Sequence, residues 1–386
     1  MARKNTEETA GVRAGVHSDE QYGAVMPPLV LSTNYTFAGV GEPRQYDYTR
    51  TANPTRDILA AALASMEGGA GATVTASGMA AITLVCQCLN PGDLVIAPAD
   101  CYGGTFRLLS RLSARGLFRV RFIDQADRAA IKAARSEKAR LLWVETPTNP
   151  LLRIIDLQAM RSLADSVGAL LVVDNTFLSP ALQRPIAHGA DLVVHSTTKY
   201  INGHSDVVAG AVVAREAGLH AELAAWANAL GLTGSPFDSF LTMRGLRTLF
   251  VRMRQHEANA RAIVDTLTSC AEVTRVHYPG LARHPGHEIA RRQQSGFGGM
   301  LSFELAGGEP AARRFLEALE LFSLAESLGG VESLACHPAT MTHVPLGPEG
   351  RRAAGIGDSL VRLSAGIEST DDLVADVVRA LAAARG

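Results

Sequence analysis

Three apolar stretches, ALLVVDNT (169–176), ADLVVHST (190–197) and VVAGAVVA (207–214), follow one another near the middle of the chain. Each is short, rich in valine and alanine, and bounded by polar or glycine-containing segments, so we interpret all three as buried strands. Helical patterns such as LQAMRSLADSVG (157–168) stand between several strands of this kind. Apolar strands that alternate with amphipathic helices predict an α/β domain whose mostly parallel sheet is covered on both faces.

The same alternation extends towards the N-terminus as far as about residue 57. Further predicted strands are GATVTAS (71–77), DLVIAPA (93–99), FRVRFID (118–124) and ARLLWVET (139–146). Predicted helices are DILAAALASMEGG (57–69), GMAAITLVCQCL (78–89) and TFRLLSRLSARG (105–116). Residues 27–56 are rich in Pro, Gly and Tyr and lack sustained helical periodicity, which predicts an extended arm.

A second pattern of helices and strands follows a long helical segment at 237–269. Its predicted strands are GGMLSFEL (298–305) and SLVRLSAG (359–366), and its predicted helices are PAARRFLEALEL (310–321) and TDDLVADVVRALAAA (370–384). At 386 residues the chain is longer than one core usually organises. We therefore predict an N-terminal arm (1–56), a large domain (57–255) and a smaller C-terminal α/β domain (256–386).

Composition and charge exclude several classes of protein. Apolar residues make up 47% and charged residues 19% of the chain, which excludes disorder. The formal net charge is −1 and no segment concentrates Lys or Arg, so we expect no nucleic-acid partner. The N-terminal segment lacks the apolar core of a signal peptide, and no apolar run is long enough to cross a membrane. Five cysteines without CxxC spacing favour neither disulfides nor zinc, so we expect a cytoplasmic protein.

Lysine is scarce in this chain, which has 33 arginines and only four lysines. Lys4, Lys132 and Lys138 lie in polar segments, where an arginine would serve equally well. Lys199 instead follows an apolar strand in DLVVHSTTKYINGHSD (191–206). A lysine amine can lose its proton and form a Schiff base with a carbonyl, whereas a guanidinium cannot. Composition alone leaves Lys199 as either a catalytic amine or an ordinary lysine at the end of a strand.

Several polar residues stand directly after predicted strands, where open α/β sheets bind their ligands. The group at 77–79 opens a predicted helix, whose free N–H groups suit a phosphate. The second candidate is the carboxylate of Asp174, and the third group, at 196–199, combines hydroxyls with the Lys199 amine. Each group alone has an ordinary explanation as a helix start, a cap or a turn. Together they meet the requirements of pyridoxal 5'-phosphate (PLP). These residues are Ser77, Gly78, Met79, Asp174, Ser196, Thr198 and Lys199.

Other cofactors are less well supported by the sequence. His195, His204 and Asp206 lack the i, i+4 spacing of helical metal ligands, so hydrogen-bonded core or loop roles are favoured and no metal site is predicted. No strand leads into a GxGxxG loop, which argues against a dinucleotide site.

The chain resembles the PLP enzymes of cysteine and methionine metabolism, which have the aspartate-aminotransferase-like fold, PLP-dependent transferase fold type I. The resemblance covers nearly the whole chain. It implies a homotetramer, a dimer of dimers in which the arm of one subunit contributes to its neighbour's active site. The motifs that carry it are YDYTRTANPTR, TASGMAAI, DCYGGTFRLL, ETPTNP, VVDNTFLSP, HSTTKYINGHSDVVAG, LFSLAESLGGVESL and VRLSAGIE.

The resemblance also implies roles for individual residues around the cofactor. Lys199 would bind PLP covalently and carry protons between substrate carbons. Asp174 would pair with the pyridinium nitrogen, with Thr176 beside it, and Tyr102 would stack on the ring and take a proton from the substrate ammonium. The phosphate would be held by Ser77, Gly78, Met79, Ser196 and Thr198, and by Tyr48 and Arg50 of the neighbouring subunit.

Further residues would bind the substrate. Arg362 would hold the α-carboxylate as a fork, with Asn149 and Ser327 beside it. Glu326 could contact an ammonium group of cystathionine or cysteine. The remaining residues assigned to substrate binding are Asp47 and Arg107.

Within the family, the chain is most similar to bacterial synthases that form cystathionine by γ-replacement, with O-succinyl- or O-acetylhomoserine as donor and cysteine as thiol. The alternative is γ-elimination from cystathionine, giving cysteine, 2-oxobutanoate and ammonia. Succinyl-using synthases have a second arginine where this chain has Thr51, which leaves Arg107 as the candidate succinyl clamp and the acyl donor open. A non-catalytic regulator on the same fold would have little need for Lys199, Tyr102 and Arg362 together.

Overall fold

The computed structural model describes residues 6–344 and 347–385. Its strands are β1 (Gly71–Thr75), β2 (Leu94–Pro98), β3 (Arg119–Ile123), β4 (Leu141–Glu145), β5 (Leu170–Asp174), β6 (Leu192–His195), β7 (Gly210–Ala214), β8 (Val273–His277), β9 (Met300–Leu305), β10 (Ser323–Leu324), β11 (Leu334–Cys336) and β12 (Leu360–Ser364).

The helices alternate with these strands as the sequence predicts. They are α1 (Glu7–Val12), α2 (Pro54–Glu67), α3 (Gly78–Val85), α4 (Gly103–Ala114), α5 (Arg128–Ala134), α6 (Leu157–Val167), α7 (Ser179–Leu182), α8 (Ala217–Leu230), α9 (Pro236–Leu246), α10 (Leu249–Thr268), α11 (His287–Gln293), α12 (Gly308–Ala318), α13 (Gly347–Ala353) and α14 (Thr370–Ala384). Short 3₁₀ turns occupy Cys86–Cys88 and Pro185–His188.

The described chain forms two compact units. The first contains the described residues up to Pro91 together with Leu170–Phe250, and the second contains Gly92–Ala169 together with the described residues from Val251 onwards. Each unit is therefore assembled from separate stretches of sequence. The division into an arm (1–56), a large domain (57–255) and a small domain (256–386) remains a prediction.

In the first unit, β1, β7, β6 and β5 lie side by side in that order. β5 and β6 are parallel, with Asp174 beside Val194, and β7 runs antiparallel to both of its neighbours. Gly210, at the start of β7, allows the chain to approach the beginning of α3 closely. A Cβ on Gly210 would lie 2.3 Å from the carbonyl oxygen of Ser77, so only glycine fits there.

The predicted helix at 237–269 is two helices, α9 and α10. Gly245, in the last turn of α9, packs so tightly that a Cβ would lie 2.0 Å from the carbonyl oxygen of Asn202. Beyond it, the N–H of Thr248 bonds to the carbonyl oxygen of Gly245 in a tight turn. The helical pattern of 237–269 does not reveal this break.

The second unit contains two groups of strands. β2 pairs in parallel with both β3 and β4; β2 and β4 are buried throughout, whereas β3, at the end of the strand order, has Arg119 and Arg121 exposed. A five-stranded sheet has the order β10-β11-β12-β9-β8, and its central strand β12 pairs antiparallel with β11 and β9. This register places Arg362 between Cys336 and Ser302. Phe303 and Phe315 pack edge to face in the core beneath this sheet, with ring centroids 5.1 Å apart.

The segment between α1 and α2 is irregular, as predicted for the arm, while α1 itself is a short capped helix that the sequence pattern does not reveal. Several large apolar side chains of this segment are exposed, most of all Val40 at 107% and Tyr22 at 81%. Among the described residues, no helix combines the length and the apolar character needed to cross a membrane.

Candidate active site

The start of α3 offers a seat for an anion. Ser77 is its N-cap, and the Ser77 hydroxyl oxygen accepts a hydrogen bond from the N–H of Ala80 at 3.0 Å. The N–H groups of Gly78 and Met79 lie in the first turn, where a helix provides no acceptor of its own. A Cβ on Gly78 would lie 2.8 Å from the Cβ of Ser196, so glycine lets this turn approach the Ser196 hydroxyl. Backbone and hydroxyl donors thus converge where the sequence predicts a phosphate.

Asp174 is held at the end of β5 by a short chain of hydrogen bonds. The N–H of Thr176 donates to Asp174 Oδ1 at 3.0 Å, and the N–H of Ser196 donates to Thr176 Oγ1 at 2.9 Å. Burial raises the pKa of the Asp174 carboxyl, while the hydrogen bonds from Thr176 and the nearby His195 imidazole act in the opposite direction. A partly buried carboxylate held in this way suits a cationic partner such as a protonated pyridine nitrogen.

Lys199 lies in the loop that follows β6, and hydrogen bonds fix the backbone of this loop. The Lys199 N–H donates to Ser196 O at 3.2 Å, and the Gly203 N–H donates to Lys199 O at 2.8 Å. Thr198 Oγ1 donates to Ala209 O at 3.1 Å and accepts from Ala209 N at 3.0 Å. The Thr198 hydroxyl would have to release Ala209 O before it could donate to a phosphate.

Tyr48 and Arg50 lie in the irregular segment before α2. The Arg50 Nη1 donates to both Asn228 O at 2.8 Å and Asn228 Oδ1 at 2.6 Å, and its Cζ lies 5.6 Å from the centre of the Tyr48 ring. The Tyr48 side chain is 47% exposed, and Asp47 accepts from the Tyr48 N–H at 2.6 Å. The role of Tyr48 and Arg50 in a neighbouring subunit's site remains a prediction.

Arg362, in the second unit, is a buried cation whose observed hydrogen-bond partners are neutral. Nη1 donates to Asn149 Oδ1 at 2.8 Å, and Nη2 donates to the carbonyl oxygen of Ser327 at 2.9 Å, while the residue is only 3% exposed. Ser327 has a φ of +96°, which is uncommon for a residue other than glycine and is characteristic of functional sites. The structure therefore brings Arg362, Asn149 and Ser327 together. A bound carboxylate would neutralise the buried positive charge of Arg362.

Three further predicted residues of this unit have accessible side chains. Tyr102 precedes α4, its N–H donates to Glu145 Oε2 at 2.8 Å, and its ring is 46% exposed. Arg107 lies one turn into α4, and Glu326 immediately precedes Ser327. Arg107 and Glu326 are both exposed, and in the described part of the chain no ion pair restrains either of them.

Sequence reasoning missed two buried acids, one in each unit. Glu145 ends β4 and holds the backbone of Tyr102, and Glu67 ends α2 beside His195. Its position could have indicated Glu67, because a negative charge in the last turn of an apolar helix interacts unfavourably with the helix dipole and is therefore unusual there. His195 contacts this carboxylate, and no group of three potential metal ligands occurs in the described residues.

The donors at α3, the partly buried Asp174 and the Lys199 amine are the kinds of group that PLP requires, and the fold is that of a fold-type-I PLP enzyme. A family model for Cys/Met metabolism PLP-dependent enzymes matches residues 8–382. The chain therefore belongs to this family.

Individual relatives match at least 96% of the chain. It is 56% identical to the cystathionine gamma-synthase of Escherichia coli (strain K12) over 385 residues, which are 100% of this chain and 99% of that protein. It is 47% identical to the cystathionine gamma-lyase of Dictyostelium discoideum, over 96% of each protein. The crystal structure of cystathionine gamma synthase from Xanthomonas oryzae pv. oryzae in complex with cystathionine is 58% identical, with a TM-score of 0.98 and 99% coverage of both chains.

These findings confirm the predicted fold class, α/β with a mostly parallel larger sheet and a smaller second sheet, and the predicted cofactor, PLP. The chain is a PLP-dependent enzyme, so the alternative of a non-catalytic regulator is set aside.

Proposed function

We propose that this enzyme performs γ-replacement as a cystathionine γ-synthase, joining O-succinyl- or O-acetyl-L-homoserine to L-cysteine to give L-cystathionine. The observation that carries the proposal is the identity of 56% and 58% with two cystathionine γ-synthases across the full length of each. The buried Arg362 fork supplies the binding group that an amino-acid substrate requires. The γ-lyase reaction is the second candidate, because the chain is also 47% identical to a cystathionine γ-lyase.

Each of the chain's own residues has a definite task in this proposal. Arg362, held by Asn149 and Ser327, binds the α-carboxylate in a two-pronged contact. The Tyr102 phenolate accepts a proton from the substrate ammonium, and the Lys199 amine moves protons between the substrate carbons. PLP, when bound, withdraws electrons from those carbons and so acidifies their protons.

Asp174 keeps the pyridine nitrogen protonated, and Thr176 holds its carboxylate. The anion seat at Ser77, Gly78 and Met79 binds the phosphate, together with Ser196 and Thr198. Glu326 and Arg107 have exposed charges that can meet the second amino acid and the acyl group.

The products formed from defined substrates test the proposal. The purified holoenzyme is incubated with O-succinylhomoserine or O-acetylhomoserine, each with and without cysteine, and the products are identified by mass spectrometry. We expect cystathionine only when cysteine is present, and its yield from the two esters identifies the acyl donor. Failure to form cystathionine, with 2-oxobutanoate released from added cystathionine instead, would establish the γ-lyase.

We further propose a homotetramer with active sites shared within each dimer, and a cytoplasmic location. Support for the assembly comes from the exposed apolar residues of the arm, which include Tyr22, Leu31 and Val40. Support for the location comes from the five cysteines, all of which are free.

Mixing two inactive variants tests the shared site. We expect Arg50→Ala to lower PLP affinity and activity, and mixing it with Lys199→Ala to restore roughly a quarter of wild-type activity, because half of randomly formed dimers then carry one intact site of two. The matched control is a mixture of Lys199→Ala with Asp174→Ala, which leaves no intact site if both residues serve their own subunit. Equal recovery in both mixtures, or none in the first when mass spectrometry shows that subunits have exchanged, would contradict the shared site.

A further inference from the structure

One buried carboxylate, Glu67, contacts the ends of two strands at once. Glu67 is the last residue of α2 and is fully buried. Its Oε1 accepts a hydrogen bond from Asn175 Nδ2 at 2.9 Å and lies 2.7 Å from His195 Nε2. Asn175 directly follows β5, and His195 ends β6. A single oxygen atom therefore ties α2 to both strand ends.

The residues that flank these contacts belong to the cofactor site. Consecutive side chains at the end of an extended strand point to opposite faces, so Asp174 and Asn175 face different ways. The same reasoning separates His195 from Ser196. The Asn175 N–H also donates to Val194 O at 3.0 Å, which keeps the two strand ends in register. Asn175 and His195 thus turn towards Glu67 while their neighbours are presented on the opposite side.

The carboxylate is costly where it lies. Glu67 Oε2 is buried and has no hydrogen-bond partner among the described residues, and removing a charged group from water is unfavourable unless it is well paired. An apolar side chain at the end of α2 would avoid this cost. The compensation is confined to Oε1, where the amide of Asn175 and the ring of His195 meet. Asn175 is further fixed by Gln183, whose carbonyl oxygen accepts from Asn175 Nδ2 at 2.8 Å.

We propose that Glu67 is a positioning residue that ties the ends of β5 and β6 together and so holds Asp174 and Ser196 in place for PLP. This inference rests on the proposed roles of Asp174 and Ser196 in the cofactor site. On the cofactor side, the two ends are linked by the 2.9 Å hydrogen bond from Ser196 N to Thr176 Oγ1. Without Glu67, the strand ends would depend on that link and on the strand pairing itself.

Two substitutions separate the effect of losing the contacts at Glu67 Oε1 from the effect of losing the negative charge. Glu67→Met removes both contacts at Oε1 while keeping a side chain of similar length, and Glu67→Gln keeps an acceptor oxygen but removes the charge. We measure the dissociation constant of PLP for the apoenzyme, the absorption spectrum of bound PLP and the thermal unfolding of the apoenzyme. We expect Glu67→Met to raise the dissociation constant by about tenfold or more and to alter the spectrum, because two buried hydrogen bonds are lost. Glu67→Gln should remain within about threefold of wild type.

The chain contains a matched control. In the five-stranded sheet, His277 Nε2 lies 2.8 Å from Glu304 Oε1, which is a second histidine–glutamate pair of the same chemistry. Glu304→Met should lower the stability of the apoenzyme and leave PLP affinity and spectrum unchanged. If Glu67→Met also lowers stability without changing either PLP measurement, its role is structural only and the inference is overturned.

Two more variants keep the test decisive. If Glu67→Met does not fold, Asn175→Ala removes the contact between Glu67 and the end of β5, together with the side-chain hydrogen bonds of Asn175 to Gln183. An unchanged PLP affinity and spectrum in that variant would equally overturn the inference. Asp174→Ala tests the premise. A normal spectrum in Asp174→Ala would refute the proposed role of Asp174, whereas an altered spectrum there combined with a normal one in Glu67→Met would refute only the role of Glu67.

Discussion

Lys199→Ala is expected to abolish cystathionine formation, lowering kcat by about 10⁴-fold or more, because no other residue of this loop offers an amine that can both bind PLP covalently and transfer protons. Lys199→Arg should be equally inactive, since a guanidinium keeps the positive charge but does not release its proton at accessible pH. Comparing these two variants distinguishes the chemistry of the amine from its charge. The measurement is the rate of cystathionine formation at saturating substrate and PLP.

Lys132→Ala provides the control for that experiment. Lys132 is an exposed residue of α5, and its replacement should leave the rate within about twofold of wild type, as surface substitutions usually do. The absorption spectrum should change in Lys199→Ala and in Lys199→Arg, which both lose the covalent link to PLP, and should stay unchanged in Lys132→Ala. A Lys199→Ala enzyme that keeps more than a tenth of wild-type activity would contradict the mechanism proposed for this residue.

Arg362→Leu is expected to lower kcat/KM for the homoserine ester by about 10²- to 10³-fold, mainly through a higher KM. The reason is that the substitution removes the buried guanidinium, which Asn149 and Ser327 hold in place, and with it the proposed two-pronged contact with the α-carboxylate. Arg362→Lys should fall between wild type and Arg362→Leu, because an ammonium keeps the charge but lacks the planar fork. Steady-state kinetics with varied ester at saturating cysteine provides both constants.

A structural explanation for the loss can be tested separately. Arg313, which forms an ion pair with Glu309 on α12, is an arginine at the surface whose replacement by leucine should change kcat/KM by no more than about twofold. PLP affinity and the thermal unfolding of the Arg362→Leu holoenzyme show whether the fold and cofactor site survive. An unchanged KM for the ester in Arg362→Leu would rule out Arg362 as the carboxylate-binding residue.

Much of the secondary structure follows from local pattern. The segments at 71–77, 93–99, 118–124 and 139–146 each contain a strand. Burial in the sheet leaves a continuous apolar signature at 93–99 and 139–146, whereas the strand at 118–124 alternates exposed arginines with apolar residues. The helix that begins at Gly78 is equally local, since the Ser77 side chain caps it three residues on. Patterns of this kind do not detect contacts between distant segments, such as that of Gly245 with Asn202, and they also missed the break between α9 and α10.

Some features of the candidate site could likewise be predicted from the sequence, whereas others depend on contacts that only the structure shows. Lys199 could be singled out from composition, because lysine is rare in this chain and an arginine could not do its chemistry. The commitment of the Thr198 hydroxyl to Ala209 could not be predicted, since it depends on the conformation of the loop between them. The roles of the other site residues came from resemblance to a family, and their contacts came from the structure.

By itself, the sequence determined an α/β chain with an unusual lysine after a buried strand, a capped helix start suited to a phosphate, and motifs that indicate PLP chemistry on sulfur-containing amino acids. Only the tertiary structure decided which distant residues meet. Arg362 bonds to Asn149, 213 positions earlier, and Glu67 meets Asn175 and His195, which are 108 and 128 positions away. The physical reason is that burial and hydrogen bonding are satisfied between segments brought together by strand pairing, and no local pattern specifies the identity of the partner.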